Sequence, residues 1–315
     1  MQDTDTVIAI DVGGTKILIG ELTPTGKILA TQRYPSLITT QSAVEALIED
    51  DLRDFLANHN LQGKPRAIGL GIVGRVDADR GVWEEIDPDR VEPVTLAGDI
   101  SAAFNLPCVI HNDVTSATIA EQTLGVGKKY KDFVYLNVGT GIAAGIVSDN
   151  KLITGYDHDA GEVGHMVVDM HSKVLCSCGR YGCVEALASG LGMSKRANSL
   201  LKAYPTSDIR PDSDGRISAE SLFTGYDHGD ELSRLVVSEA AHALAELIMN
   251  LTKTLNPQAF VLGGGVMTKG WMLRELERDL VPETMRFITG GVELTDLDPS
   301  TIALEGAAVA ASRLY

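Results

Sequence analysis

VIAIDVGGTKILIG, residues 7–20, and VYLNVGTGIAAGIV, residues 134–147, share one grammar. Each is an apolar strand, a polar residue (Asp11 or Asn137), Val-Gly, a tip of glycine and threonine, and a second apolar run. Two related halves, each opening on a strand, a glycine turn and a returning strand, are expected from this echo.

Outward from the first copy, TPTGK (23–27) signals a hairpin turn. QSAVEALIEDDLRDFLANHN (41–60) places Val44, Leu47, Ile48, Leu52, Phe55 and Leu56 on one helical face. AIGLGIVG (67–74) reads as a buried strand, LAGDISAAFN as a short helix, and PCVIHND (107–113) as a strand followed by the helix VTSATIAEQTLG. Outward from the second copy, Asp149-Asn150 marks a hairpin turn, a long helix runs through 231–255, AFVLGGGV (259–266) is a strand leaving into glycines, and LEGAAVAASRL (304–314) is a small-residue helix. Strands alternating with helices specify an α/β layer architecture.

Three glycine turns follow strands: Gly13-Gly14-Thr15, Gly139-Thr140-Gly141 and Gly263-Gly264-Gly265. Without Cβ atoms a backbone can approach phosphate oxygens and aim N–H groups at them, and Thr15 and Thr140 add hydroxyls. Any one of them alone reads as an ordinary turn; three, two of them in repeated contexts, point to a nucleotide. GTGIAA (139–144) formally fits the dinucleotide fingerprint, but that fingerprint requires a following helix and here a strand is expected. No Walker A pattern is present in the sequence.

The chain has 315 residues with 43 acidic against 27 basic ones, a formal net charge of −16. A nucleic-acid binder needs a basic footprint to displace counterions, so DNA and RNA are excluded as partners. The acidic start MQDTDTVIAI lacks a positive region and cleavage site, and no stretch reads as the roughly twenty apolar residues of a membrane span. A cytoplasmic protein without membrane partners is expected, in which clustered cysteines are metal ligands or catalytic thiols rather than disulfides. Cys108 stands alone as a buried strand residue.

The other three cysteines lie in GHMVVDMHSKVLCSCGRYGCVE, residues 164–185. Cys176, Cys178 and Cys183 with one histidine make a closed tetrahedral set for structural Zn²⁺, and the spacing is not the CxxC of redox proteins. His158, His165 and His171 are all near enough to be the fourth ligand.

DVGGTK (11–16), ND (112–113), NVGTGIAAG (137–145), GEVGH (161–165), CSCGRYGCVE (176–185) and LGGGV (262–266) together resemble the successive signatures of the ROK sugar kinases, over nearly the whole chain and in order. The resemblance implies a duplicated actin-like (ribonuclease H-like) ATPase fold of two lobes with a central cleft. The smaller lobe would be residues 1–113 with 300–315, and the larger one 114–299 with the zinc loop at 161–185. It implies transfer of the γ-phosphoryl group of ATP, with Mg²⁺, to a hexose or N-acetylhexosamine hydroxyl, usually the 6-hydroxyl, and a homodimer is expected.

Roles follow residue by residue. Asp113, between a strand and a helix, serves equally as a helix N-cap or as a general base, and its match to the family's ND assigns the base. Asp11 would hold Mg²⁺, and Lys16 would neutralise phosphate charge beside Gly13, Gly14 and Thr15, with Gly139, Thr140, Gly141, Gly264 and Gly265 completing the ATP site. The family's GH position selects His165 as the zinc ligand with Cys176, Cys178 and Cys183. By the same resemblance Asn112, Asp113, Glu162, His165 and Glu185 contact the sugar.

One segment departs from the family. Kinases of this group often read GxPGxV and then an Asn-Leu-Pro stretch that contacts sugar, whereas this chain has GIVGRV (71–76) and VWEEIDPDRVEPVTLAGDI (82–100), offering Arg75, Asp87, Asp89 and Arg90 instead. The substrate therefore stays open between glucose, N-acetylmannosamine, N-acetylglucosamine and other sugars. A non-catalytic, sugar-sensing relative is the alternative, but such a repressor carries a DNA-binding domain before the DxGGT strand and a mere binder would lack the base or a phosphate turn.

Overall fold

The computed structural model describes residues 4–36, 39–87 and 89–315; the first three residues of the acidic start lie outside them. The chain forms two compact units. One runs through Lys129 and includes Leu152–Ala160 and Asp296–Tyr315; the other comprises Tyr130–Lys151 and Gly161–Thr295.

In the first unit β1 (Asp5–Val12), β2 (Lys16–Leu22) and β3 (Ile28–Pro35) form an antiparallel meander, α1 (Gln41–Asn58) follows, and β4 (Lys64–Ile72) pairs parallel to β1. A small hairpin, β5 (Arg75–Asp77) with β6 (Val82–Glu85), precedes α2 (Leu96–Phe104), β7 (Cys108–Asn112) and α3 (Asp113–Thr123). The sheet order is β3-β2-β1-β4-β7, with β7 parallel to β4. The apolar stripe of α1 supplies Val44, Ile48, Leu52 and Phe55 to the core, while Leu47 and Leu56 pack at its margin. Cys108 is in β7 as expected but only half-buried, and burial still pushes its thiol well up.

The second unit repeats the plan. β8 (Phe133–Val138) and β9 (Ile142–Ser148) are antiparallel, and the chain leaves through a turn at Asp149 and Asn150, both in the left-handed region, into the short β10 (Lys151–Ile153). After α4 (Val184–Ala188), α5 (Gly190–Leu200), α6 (Ala219–Asp227) and α7 (Glu231–Leu255), β11 (Ala259–Gly263) pairs parallel to β8. α8 (Trp271–Leu276), α9 (Pro282–Met285) and β12 (Gly291–Leu294) follow, giving the order β10-β9-β8-β11-β12. The two sheets thus have the same strand order and the same antiparallel-then-parallel pairing, which is what the sequence echo requires. β9 after the turn at 139–141 removes the dinucleotide reading.

α7 is long and apolar enough, by length and composition, to cross a membrane, a property the sequence reading did not register. Here Val236, Val237, Ala240, Leu244, Leu247, Ile248 and Leu251 are buried in the second unit's core.

The final helix, α10 (Ile302–Ala311), belongs to the first unit and explains its small-residue composition. A Cβ on Gly306 would lie 1.7 Å from the Ser116 carbonyl oxygen, so α10 meets α3 backbone to backbone. This packing keeps α3 in the first unit. The contact boundary therefore falls after Lys129 and not at Asp113.

Candidate active site

In the first unit the parallel strands β1, β4 and β7 end side by side, with Asp11 opposite Gly71 and Ile72 opposite Asn112. Ligands bind at such carboxyl ends because side chains and loops converge there. The β1–β2 turn is closed by Gly13 N–H donating to the Lys16 carbonyl at 2.9 Å. Gly14 and Thr15 are exposed, and a Cβ on Gly14 would meet nothing within 4 Å, so the tip is open to a ligand. Burial pushes the Asp11 carboxyl up to about 7; the charge of Asp113 adds to the rise and that of Lys16 opposes it. Lys16 also helps hold Asp298 below its usual range. A desolvated carboxylate beside a second one, with a single lysine to balance them, is chemistry suited to a divalent cation or to phosphate-bound metal.

The helix α3 is capped by Asn112, whose Oδ1 accepts the N–H groups of Val114 at 2.9 Å and Thr115 at 3.2 Å. Its amide Nδ2 donates to the Gly74 carbonyl at 2.9 Å, anchoring the strand end. Asp113 is the first helical residue. Its Oδ1 also accepts from Val114 N–H at 3.0 Å, but desolvation outweighs that bond and raises the carboxyl above the ordinary aspartate range. The half-buried carboxylate can thus act as a proton acceptor at the mouth of the sheet.

In the second unit the turn Gly139-Thr140-Gly141 is braced twice. Glu185 Oε2 accepts Ile142 N–H at 3.0 Å, and Gly190 N–H at the start of α5 donates to the Gly139 carbonyl at 2.8 Å. A Cβ on Gly141 would come within 2.7 Å of Glu185 Oε2, so the glycine is what lets the carboxylate seat. The third glycine turn lies beside the same hairpin: Gly264 has φ +89 and its Cβ would strike the Val138 carbonyl, while Gly265 faces open space.

The cysteine segment folds as a compact knuckle. His165 Nδ1 lies 3.4 Å from Cys176 Sγ, Cys178 Sγ lies 3.6 Å from Cys183 Sγ, and the His165, Cys176 and Cys178 donor atoms are all within 4.8 Å of one another. Tetrahedral Zn²⁺ at about 2.3 Å from sulfur and 2.0 Å from nitrogen requires donor separations of about 3.5–3.8 Å, so this set fits it. With Nδ1 turned to the thiols, His165 Nε2 points toward the carboxylate of Glu162, 3.9 Å away. Burial works against an imidazolium, yet the Cys176 contact and the charges of Glu185 and Glu162 lift His165 above its usual range, so both glutamates lie within its electrostatic reach. His171, by contrast, sits in an exposed turn whose N–H caps Asp169, and His158 contacts Asp77 and Asp79.

A family model described as the ROK family matches residues 7–306. The chain belongs to the ROK family. A ROK relative, the glucokinase of Halalkalibacterium halodurans, is 29% identical over 294 residues, covering 91% of this chain and 88% of the relative. The N-acetylmannosamine kinase of Shigella boydii is 31% identical over 271 residues, covering 85% and 86%. The structure of a ROK family glucokinase from Streptomyces griseus, solved in complex with glucose and AMPPNP, superposes with a TM-score of 0.78 at 27% identity, over 98% of this chain and 99% of that one. The fold is therefore the duplicated actin-like ATPase fold of ROK proteins, as the resemblance implied.

Of the polar set in the departing ROK segment, Arg90 folds back on Asp87 (Nε to Oδ2, 2.8 Å), and Asp89 N–H bonds Asp87, all in an exposed turn. Arg75 differs: it lies 3.6 Å from Glu85 and 3.2 Å from Asp157. Sequence reasoning missed the bracing of the phosphate turn by Glu185, which joins positions 43 residues apart and leaves no local signal. It also missed the capping role of Asn112. Asn followed three residues later by an unbonded N–H is an N-cap signature that could have revealed it.

Proposed function

We propose that the chain is an ATP-dependent sugar kinase, glucokinase-like, transferring the γ-phosphoryl group to a hexose hydroxyl, the 6-hydroxyl in this reading. The observation that carries it is Asp113: a carboxylate released from helix capping by Asn112, raised by desolvation, at the strand ends beside Asp11 and the open Gly13-Gly14-Thr15 tip.

Phosphoryl transfer needs positioning, charge neutralisation and a group to take the alcohol's proton. Asp113 accepts the proton of the sugar hydroxyl as its oxygen attacks the γ-phosphorus, and Asn112 fixes the start of α3 that aims it. The tip at 13–15 with Lys16, the braced turn at 139–141 and the turn at Gly264-Gly265 supply backbone N–H groups and positive charge to the phosphates. Magnesium bound with ATP would neutralise phosphate charge, and Asp11, desolvated and only partly balanced by Lys16, is the carboxylate suited to it. Glu162, His165 Nε2 and Glu185 offer charged acceptors and a ring nitrogen to sugar hydroxyls. Zn²⁺ on His165, Cys176, Cys178 and Cys183 would be structural, since four protein donors leave no open position.

N-acetylmannosamine or N-acetylglucosamine phosphorylation is the second reading, favoured by the 31% identity to an N-acetylmannosamine kinase. A cytoplasmic homodimer goes with either and is checked by sedimentation. The deciding experiment is coupled ADP release across glucose, N-acetylmannosamine, N-acetylglucosamine and fructose. Turnover with one of them, abolished in Asp113→Asn, is expected; no turnover with any overturns the kinase reading.

A further inference from the structure

His158 is a strained residue beside the machinery described above, and it has no part in that mechanism. Its φ is +56, a left-handed conformation that costs a non-glycine residue about 1 kcal/mol. It lies in Leu152–Ala160, the stretch of the first unit from which the chain passes at Gly161 into the turn bearing Glu162 and His165. Its Nε2 is 3.2 Å from Asp77 Oδ1 and 3.7 Å from Asp79 Oδ2, and the His158 and Asp77 side chains are each only 17% exposed. The preceding residue, Asp157, meets Arg75 at 3.2 Å. Arg75 and Asp77 stand two apart on β5, on one face, so consecutive residues of the crossing segment are tied to one strand. Asp157 is 74% exposed and its pair contributes little; the half-buried Asp77–His158 pair is the stronger tie.

The far side of the same hairpin is equally anchored. Gly74, just before β5, accepts the Asn112 amide that caps α3, and Asp77 itself accepts the Arg80 N–H at 3.0 Å. The Ala160 N–H closes the crossing segment onto the Thr154 carbonyl at 3.1 Å.

We propose that His158 is a positioning residue for sugar binding: its contact with Asp77 offsets its own backbone strain and fixes the take-off of the turn that presents Glu162 and His165. The proposal rests on the sugar-kinase reading. Glycine at 158 would relieve the strain but release the segment, whereas asparagine tolerates the left-handed region and can still donate to Asp77.

The test uses the full chain and whichever of glucose, N-acetylmannosamine and N-acetylglucosamine the wild type phosphorylates best. His158→Gly is expected to raise the sugar KM about tenfold while kcat and the ATP KM stay within about twofold, because only ground-state positioning is lost. His158→Asn should restore the sugar KM to within about threefold of wild type, and Asp77→Asn/His158→Gly should be no worse than His158→Gly alone. Zinc content should not change in any of them. A wild-type sugar KM in His158→Gly, additive penalties in the double variant, or a loss confined to kcat overturns the proposal. If Asp77→Asn misfolds through its lost Arg80 contact, the glycine and asparagine variants decide by themselves. A wild type inactive on every sugar overturns the kinase reading and this proposal with it; an active wild type with an indifferent His158→Gly overturns this proposal alone.

Discussion

The carboxylate of Glu185 accepts the backbone N–H of Ile142 at 3.0 Å, so a residue expected to hold sugar also braces the glycine turn expected to hold phosphate. Ile142 is 2% exposed, and removing its acceptor leaves a buried donor unpaired, at a cost of about 1–3 kcal/mol. Glu185→Ala should therefore lower Tm and raise the KM for ATP as well as for sugar. Glu185→Gln keeps an acceptor oxygen and should recover Tm and the ATP KM but not the sugar KM. Thermal melts with two-substrate kinetics check this, and a sugar-only defect in the alanine variant would sever the link.

Asn112 and Asp113 divide two tasks between adjacent residues, and substitution should separate them. Asp113→Asn removes the proton acceptor and should reduce kcat by about 10²–10⁴ with sugar affinity nearly unchanged. Asn112→Ala removes the cap and should cost about 1 kcal/mol of stability. Its activity loss should be smaller and partly recovered by Asn112→Asp, a good capping residue, read by denaturant titration beside the rate assay.

Much of this was legible in the sequence because the signals are local. Val-Gly after an apolar strand recurs in both halves, and α1 shows its buried stripe at helical spacing. What escaped is short or distant. β12 has four residues, all half-buried, so no apolar run announces it, and its parallel partner β11 is some thirty positions away. The β5–β6 hairpin has strands of three and four residues. Asn and Asp both cap helices well, so only backbone geometry could tell which of residues 112 and 113 does so. The division of the chain depended on Gly306 meeting the backbone of Ser116, a contact between positions 190 apart that composition cannot encode.

The knuckle at 165–183 should bind zinc at about one per chain, and losing it should unfold the loop locally before the rest. Cys178→Ser, at the exposed ligand, should lose the metal and weaken sugar binding more than ATP binding. Gly182→Ala tests the same loop without touching a ligand: its φ is +75 and its Cβ would sit 1.9 Å from the Asp169 carbonyl oxygen, so zinc content should fall with it. Elemental analysis with protease mapping reads both, and full zinc in either variant would contradict the ligand assignment.

Asp11 gives the ligand-free protein a pH dependence whose sign is fixed. Its folded carboxyl titrates at about 7 against an unfolded value near 3.8, so between these values the folded state holds the extra proton. Stability therefore falls as pH rises from about 4 to about 7 and levels off above, by up to about 4 kcal/mol from this one group. Asp11→Asn cannot ionise there, and it should flatten that slope and be the more stable protein at pH 7.5, although inactive in phosphoryl transfer. Mg²⁺ with ATP favours the ionised carboxylate and should restore stability to the wild type at pH 7.5 but far less to Asp11→Asn. Urea titrations at pH 4.5, 6.0 and 7.5, with and without Mg²⁺ and ATP, measure all four states. A wild-type slope that survives in Asp11→Asn would assign the titration to another group, with Asp113, raised by the same desolvation, the next to substitute.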